Sequence, residues 1–493
     1  MTFVLLSCRL RELAIYSSFQ RLGVLENINV QNLSRVVTAA YFRSMRLAIP
    51  ALIVCAACAQ AAERHMIVID PDHSHAAAVF AQQIPDVSNI VHVYALPGQG
   101  VTAFLDSLSA FNRRPQNPTN WKIESHITPD FLKLVSQEPP GNIAVITGPN
   151  NLKIDRILAS LRGGQNVLAD KPWIIDRKAF AKLQEALTAA QRNHLAVYDG
   201  MTERFNLVYQ IQRELMRDAN VFGHPLTGTP DHPAVELENI HSLIKYSRGK
   251  VSLRPPAFLD VRQQGEAIAD VGTHLVDLEM STLFPDRPID YKRDIKVLKG
   301  AHSPIFLTLP QFTRLTGANA WPPFLQGAVH DGRLEYDCNS NAVYTLLGIY
   351  TSISDRWEYE SAGALTDTYL VLFRGTRSTI RVRQSKLENY VAEIDVIPNA
   401  GENVSTLTAA LQRRLKQLSD VFPNLTLQNN GGAIRVSIPA EDRARGGSMF
   451  ARLVDRFLGY VHDPASIPGW EKPNMLAKYY VTTTAVALAG KPQ

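Results

Sequence analysis

The sequence is poor in cysteine, and three of its four cysteines (Cys8, Cys55 and Cys58) fall in the first sixty residues. A chain that sheds that segment keeps only Cys338. One cysteine excludes an intrachain disulfide and a cysteine-based zinc site, so the cores must carry stability unaided. A surplus of charge is missing as well. The formal net charge of +5 rests on residues 1–61, where six arginines face two glutamates; without them it falls to +1. No basic footprint for nucleic acid remains. The apolar run Leu47–Ala62 is too short for a comfortable membrane span, and no repeat or low-complexity tract appears. Glycine is absent from the loop after the first strand, which reads Asp70-Pro71-Asp72-His73-Ser74-His75-Ala76.

What is present begins with a leader. Met45-Arg46 precedes an apolar stretch that ends in Cys58-Ala59-Gln60-Ala61-Ala62, an A-x-A cleavage pattern. Residues 1–62 are therefore expected to be an over-extended start plus a signal peptide from Met45. The mature chain would be exported to the periplasm, without an integral membrane span. Lipoprotein anchoring through Cys55 or Cys58 is the alternative, although Cys55-Ala56-Ala57-Cys58 has no Leu three positions before its last cysteine.

The 493 residues suffice for two or three cores. Apolar runs at His65–Asp70, Ile90–Ala95, Ile143–Thr147, Asn166–Ala169 and His194–Tyr198 read as strands. Helical spacing fills Ala76–Ala81, residues 152–161 and Lys178–Gln191. Alternating strands and helices imply a doubly wound parallel sheet over residues 64–200. The stretch from Pro97 to Pro129 reads as a long loop, of the kind that forms lids. A long helix is expected from Glu203 to Arg217. Residues 201–493 read as an α+β domain, with strands at Ala342–Leu347, Tyr369–Phe373 and Thr379–Val382. The amphipathic, basic helix around Leu411–Leu418 reads as a solvent-facing surface.

Two segments carry chemistry. Asp170-Lys171-Pro172 ends a buried strand, and Asp270 and His274 stand at i, i+4 on an expected helix. Lysine, histidine and carboxylate converging on one cleft make a proton-transfer set. Glu203 and Arg204 sit at the domain crossover, where an ion pair is the expected role of Arg204. Asp277 is expected to be structural. His241, Lys245, Tyr246 and Arg248 form a polar cluster, and Arg254-Pro255-Pro256-Ala257-Phe258 reads as one wall of a substrate pocket.

Three segments resemble the glucose-fructose oxidoreductase/inositol dehydrogenase (Gfo/Idh/MocA) family. Ile143-Ala144-Val145-Ile146-Thr147-Gly148-Pro149-Asn150, running on to Asp170-Lys171-Pro172, is similar to its strand, T-P-N turn, helix and E-K-P strand end. Tyr198–Phe205 resembles its arginine-containing crossover. Gly265–Asp277 resembles its G-G-G…D-x-G-x-H-x-x-D segment with one of three leading glycines kept. The likeness covers roughly residues 64–300, and the tail resembles an oxidoreductase C-terminal branch of that family.

The resemblance implies a Rossmann-like N-terminal domain and a C-terminal α+β domain with a largely antiparallel open sheet, a face that pairs in dimers or tetramers in the family. It implies NAD or NADP as cofactor and a small sugar-like substrate. Lys171, His274 and Asp270 become the catalytic residues. Pro149, Asn150, Asp170, Lys171 and Pro172, with His73, Ser74 and His75, line the cofactor. Lys171, Asp270, His274, Tyr246 and Arg254 meet the substrate, and Lys153 stands where the family has histidine. The glycine-free loop departs from the G-x-G-x-x-G pattern, and Tyr94-Ala95 ends the second strand where a carboxylate would hold the ribose.

An exported member is expected to hold its cofactor tightly and recycle it. Transient oxidation to a keto-sugar would make it a glycosidase or lyase instead, and loss of the nucleotide would leave a carbohydrate-binding protein. Asp70, Asp72, His73 and His75 also resemble the H-x-H start of metal-dependent hydrolases. Those enzymes need further ligands on later strands of a barrel, so no metal ligands are assigned in this reading.

Overall fold

The computed structural model describes residues 64–490 except 248, 361–365 and 446–447. The leader and both cysteines proposed for lipidation lie outside the described residues. β1 (Arg64–Ile69), β2 (Val87–Ala95), β3 (Lys122–Ile127), β4 (Ile143–Ile146), β5 (Asn166–Ala169) and β6 (Val197–Asp199) form one parallel sheet in the order β3-β2-β1-β4-β5-β6. Every residue of β4 and β5 is buried, because helices cover both faces of the sheet; that is why these strands read as unbroken apolar runs. The helices are α1 (His75–Val79), α2 (Gln99–Arg113), α3 (Phe131–Val135), α4 (Asn150–Arg162) and α5 (Phe180–Arg192). The expected Rossmann-like half is present.

The second sheet is mixed and mostly antiparallel. Across its width run Ile295–Thr308, Arg333–Leu346, Ile349–Glu358, Val235–Ser242, Thr368–Arg374, Ser378–Gln384, Glu393–Pro398, Ala433–Ser437 and Thr426–Asn430. Only the pair Ile349–Glu358 with Val235–Ser242 is parallel among these neighbours. Arg333–Leu346 alternates buried with open positions, the pattern of a sheet packed on one face.

Helices α6 (Leu207–Met216), α7 (Val261–Gln264), α8 (Ala267–Asp270), α9 (Gly272–Leu283), α10 (Leu309–Thr316), α11 (Val404–Leu418), α12 (Ala440–Arg445), α13 (Met449–His462) and α14 (Glu471–Ala489) complete the fold. α13 packs on the first sheet through Leu453, Val454 and Phe457. α14 serves both sheets: Met475 and Tyr479 join one core, Ala477, Val481 and Ala485 the other. No helix of the described residues is long and apolar enough to cross a membrane.

Three expectations need correction. The stretch from Pro97 to Pro129 is not a loop: α2 buries Val101, Phe104 and Leu108 at helical spacing, and β3 follows. The helix expected from Glu203 is a 3-10 turn (Thr202–Phe205) and then α6, because Asn206 is extended and its side chain accepts the Val208 N–H as an N-cap. Asp270 and His274 do not share a helix. The Asp270 carbonyl accepts from Lys171 Nζ and Thr273 Oγ1, and the helix breaks at Val271. α11 meets solvent on one face only, since Leu407, Ala410, Leu411, Leu415 and Leu418 enter the core.

Candidate active site

Strand order reverses between β1 and β4, which opens a crevice at the carboxyl ends of the strands. Lys171 follows β5 there, joined to Pro172 by a cis peptide bond. Its ammonium donates to Asp270 Oδ1 at 2.6 Å and to the Asp270 carbonyl at 3.2 Å. Both side chains are over nine-tenths buried. Burial alone would lower the lysine's pKa, but Asp270 and Asp170 raise it, so the group stays charged. Burial would likewise raise Asp270, yet Lys171 holds it below the usual carboxylate range.

A ring of hydrogen bonds fixes this pair. Gln264 Nε2 donates to Asp270 Oδ2 at 2.7 Å, and Asn150 Nδ2 donates to the Gln264 carbonyl at 2.8 Å. Lys153 Nζ donates to Asn150 Oδ1 at 2.8 Å and to the Lys171 carbonyl at 3.2 Å. Burial lowers Lys153 to about 8. The circuit joins the first sheet (β5, α4) to the α7–α8 turn of the second. Gly265 makes that turn at φ 91°, where a Cβ would come within 2.8 Å of Ile175.

His274 opens α9. Burial, then Lys171 and His75, push its pKa down to about 3, so it is a neutral imidazole. Its Nδ1 is buried with no hydrogen-bond partner among the described residues. Asp270 therefore orients Lys171, with no bond to the histidine ring. Asp277 belongs to another network: Arg204 donates to both its oxygens at 2.6 and 2.7 Å and to Glu471 of α14 at 2.9 and 3.0 Å. The crossover arginine thus makes ion pairs.

Three site residues carry little sequence signal. Gln264 is visible only through the ring it closes, and Lys153, which the family resemblance marked by position, shows its bonding only there. Asp355 is fully buried, and burial raises it to about 6. It lies 3.2 Å from His241 Nε2, a charge contact without hydrogen-bond alignment, while His241 Nδ1 meets Asp367 at 3.0 Å. Burial would lower His241, but the two carboxylates hold it up at about 9. The signal for Asp355 is a carboxylate at an inward position between Ile353 and Trp357.

The remaining candidates divide. Arg254 is fixed by the Leu243 carbonyl at 2.8 Å, lies against the rings of Phe258 and Trp357, which also touch each other, and feels the charge of Asp270. Tyr246 is exposed and bonded to Glu360 and Arg314, with no contact among the described residues that joins it to the hydrogen-bonded circuit around Lys171. In the glycine-free loop, Asp70 adopts φ 47° and pairs with Arg156. Space for the loop comes from neighbours: a Cβ on Gly148 would meet Asp70 at 2.2 Å, and one on Gly100 would meet Asp72 at 2.5 Å. His73, Ser74 and His75 open toward the crevice rim, and both imidazoles face Asp170 at 3.0–3.1 Å. These contacts hold Asp170 ionised, well below its ordinary range, against the opposing effect of burial.

The family described as "Putative oxidoreductase C terminal domain" matches residues 211–490. A solved oxidoreductase structure from Parabacteroides merdae ATCC 43184 is 36% identical with a TM-score of 0.84, covering 87% of this chain and 97% of that one. An oxidoreductase from Thermotoga maritima is 14% identical with a TM-score of 0.55, covering 87% and 98%. GenD2 from gentamicin A biosynthesis, solved with NAD, is 12% identical with a TM-score of 0.53, covering 87% and 95%. The last two establish likeness of fold. No curated protein matches.

Proposed function

The chain belongs to the oxidoreductase C-terminal domain family, and from that membership we propose an exported nicotinamide-dependent enzyme of the Gfo/Idh/MocA type that moves hydride at a secondary alcohol of a sugar or cyclitol. The observation that carries this reading is the buried Lys171–Asp270 pair beside neutral His274 at the switch-point crevice. The residues present fit a dinucleotide. Asp70 spends its charge on Arg156, and the loop rim offers His73, Ser74 and His75. Pro149, Asn150 and Asp170–Pro172 would flank the nicotinamide. NAD or NADP bound there would accept or return the hydride.

The protein's own groups handle the proton. Lys171 keeps its charge at neutral pH and stabilises negative charge growing on the substrate oxygen. Asp270 fixes the position of the ammonium. His274, being neutral, has a lone pair free for the hydroxyl proton. Arg254, packed against two aromatic rings, would meet the distal part of the substrate. Export is supported by the leader composition, and tight retention of the nucleotide follows from it.

Denaturing the purified protein and analysing the supernatant by absorbance and mass spectrometry should release about one nicotinamide nucleotide per chain. No nucleotide released, and none bound on titration, overturns the reading. Lys171→Met should retain the nucleotide and lose roughly 10²–10³-fold in kcat against a panel of sugars and cyclitols.

A further inference from the structure

The loop after β1 and the end of β5 bring together two histidines and a carboxylate, residues the proposed function sets along the cofactor's edge and to which it gives no part in moving the hydride or the proton. We propose that His73, His75 and Asp170 form a binding site for a divalent transition-metal ion such as zinc or cobalt.

The geometry is that of a three-ligand face. His73 Nδ1 lies 3.1 Å and His75 Nδ1 3.0 Å from the same oxygen, Asp170 Oδ2. One ligand atom from each residue lies within 4.8 Å of the others. Tetrahedral coordination at about 2.0–2.1 Å from nitrogen and oxygen sets ligand atoms roughly 3.3 Å apart, so the two histidine–carboxylate separations already lie within a few tenths of an ångström of that spacing. Two imidazoles and one carboxylate suit borderline ions and not magnesium or calcium, which take oxygen.

The ligands are held before any ion arrives. Asp170 Oδ1 accepts the Lys171 backbone N–H at 2.8 Å, and Gly200 leaves space that a Cβ would close to 3.0 Å from that oxygen. Phe450 of α13 packs on the His75 ring at 4.6 Å, and the two imidazoles meet edge to face at 4.1 Å. Side-chain exposure runs from 48% at His73 through 27% at His75 to 6% at Asp170, which gives the ion an entry path and leaves its open position toward the crevice. The site stands on these side chains whether or not a nucleotide binds.

The test uses the full chain, stripped by chelator and without nucleotide. Co²⁺ and Zn²⁺ are titrated by absorbance and calorimetry. One equivalent should bind to the wild type. Affinity should fall at least tenfold in His73→Ala and in His75→Ala. It should be unchanged in His92→Ala, which disrupts the other histidine–carboxylate group on β2 and β3. Zn²⁺ should raise the Tm of the wild type and leave that of His73→Ala unmoved. If a variant misfolds, zinc-edge X-ray absorption of the wild type decides, with two imidazoles in the first shell expected. No stoichiometric binding, unaltered binding in both loop variants, or a shell without imidazole overturns the proposal and shows a hydrogen-bonded His–Asp–His group instead.

Discussion

Glu279 on α9 is wholly buried, and the hydroxyls of Tyr344 and Thr351 donate to its carboxyl. Burial pushes its pKa up to about 7. The folded state then holds a proton that the unfolded state has released, so stability falls as pH rises from 4.5 through 7. Glu279→Gln keeps the shape without the charge. In urea unfolding it should match the wild type at pH 5 and exceed it by about 2 kcal/mol at pH 8. At this scale legibility was uneven. Lys171, Asp270 and His274 were readable because motif order carries them. Gln264 was not, and Lys153 was marked by position without its role, since an amide and a lysine look alike whether they close a buried ring or face water. The i, i+4 spacing of Asp270 and His274 does not bring them together as a bonded pair, because the lysine and Gln264 occupy both carboxylate oxygens.

Gly300 shows what an element needs from one residue. It lies on the strand Ile295–Thr308 where α14 crosses, and an added Cβ would stand 2.0 Å from the Ala485 carbonyl oxygen. Gly300→Ala should cost about 1–3 kcal/mol in urea unfolding. Gly327→Ala, with nothing within 4 Å, serves as the matched control and should cost less than half as much. The elements of the first sheet were legible because strands buried on both faces read as apolar runs. α2 was legible in principle: its apolar positions keep helical spacing, but Pro97 and the Arg113–Pro118 stretch obscured it. α14 was illegible for a physical reason. It is buried on many sides, with Lys478 donating to Asp199 and Glu471 bound to Arg204, so it presents no amphipathic stripe.

Across the whole molecule, α14 is shared property. It completes the core of each sheet, and the Tyr479 hydroxyl accepts the Trp173 N–H at 2.8 Å, two residues from Lys171. A chain stopped before Glu471 should lose hydrogen-exchange protection in both sheets together, as read by mass spectrometry. Protection retained in the first sheet alone would mean that its core closes without this helix. The two-sheet architecture was readable from the alternation of strand and helix, whereas the return of α13 and α14 to the first sheet leaves no trace in local pattern. That return also sets an order of events in the cell. α14 follows every strand of both sheets along the chain, so a nascent chain carries two unfinished cores until this helix has left the ribosome.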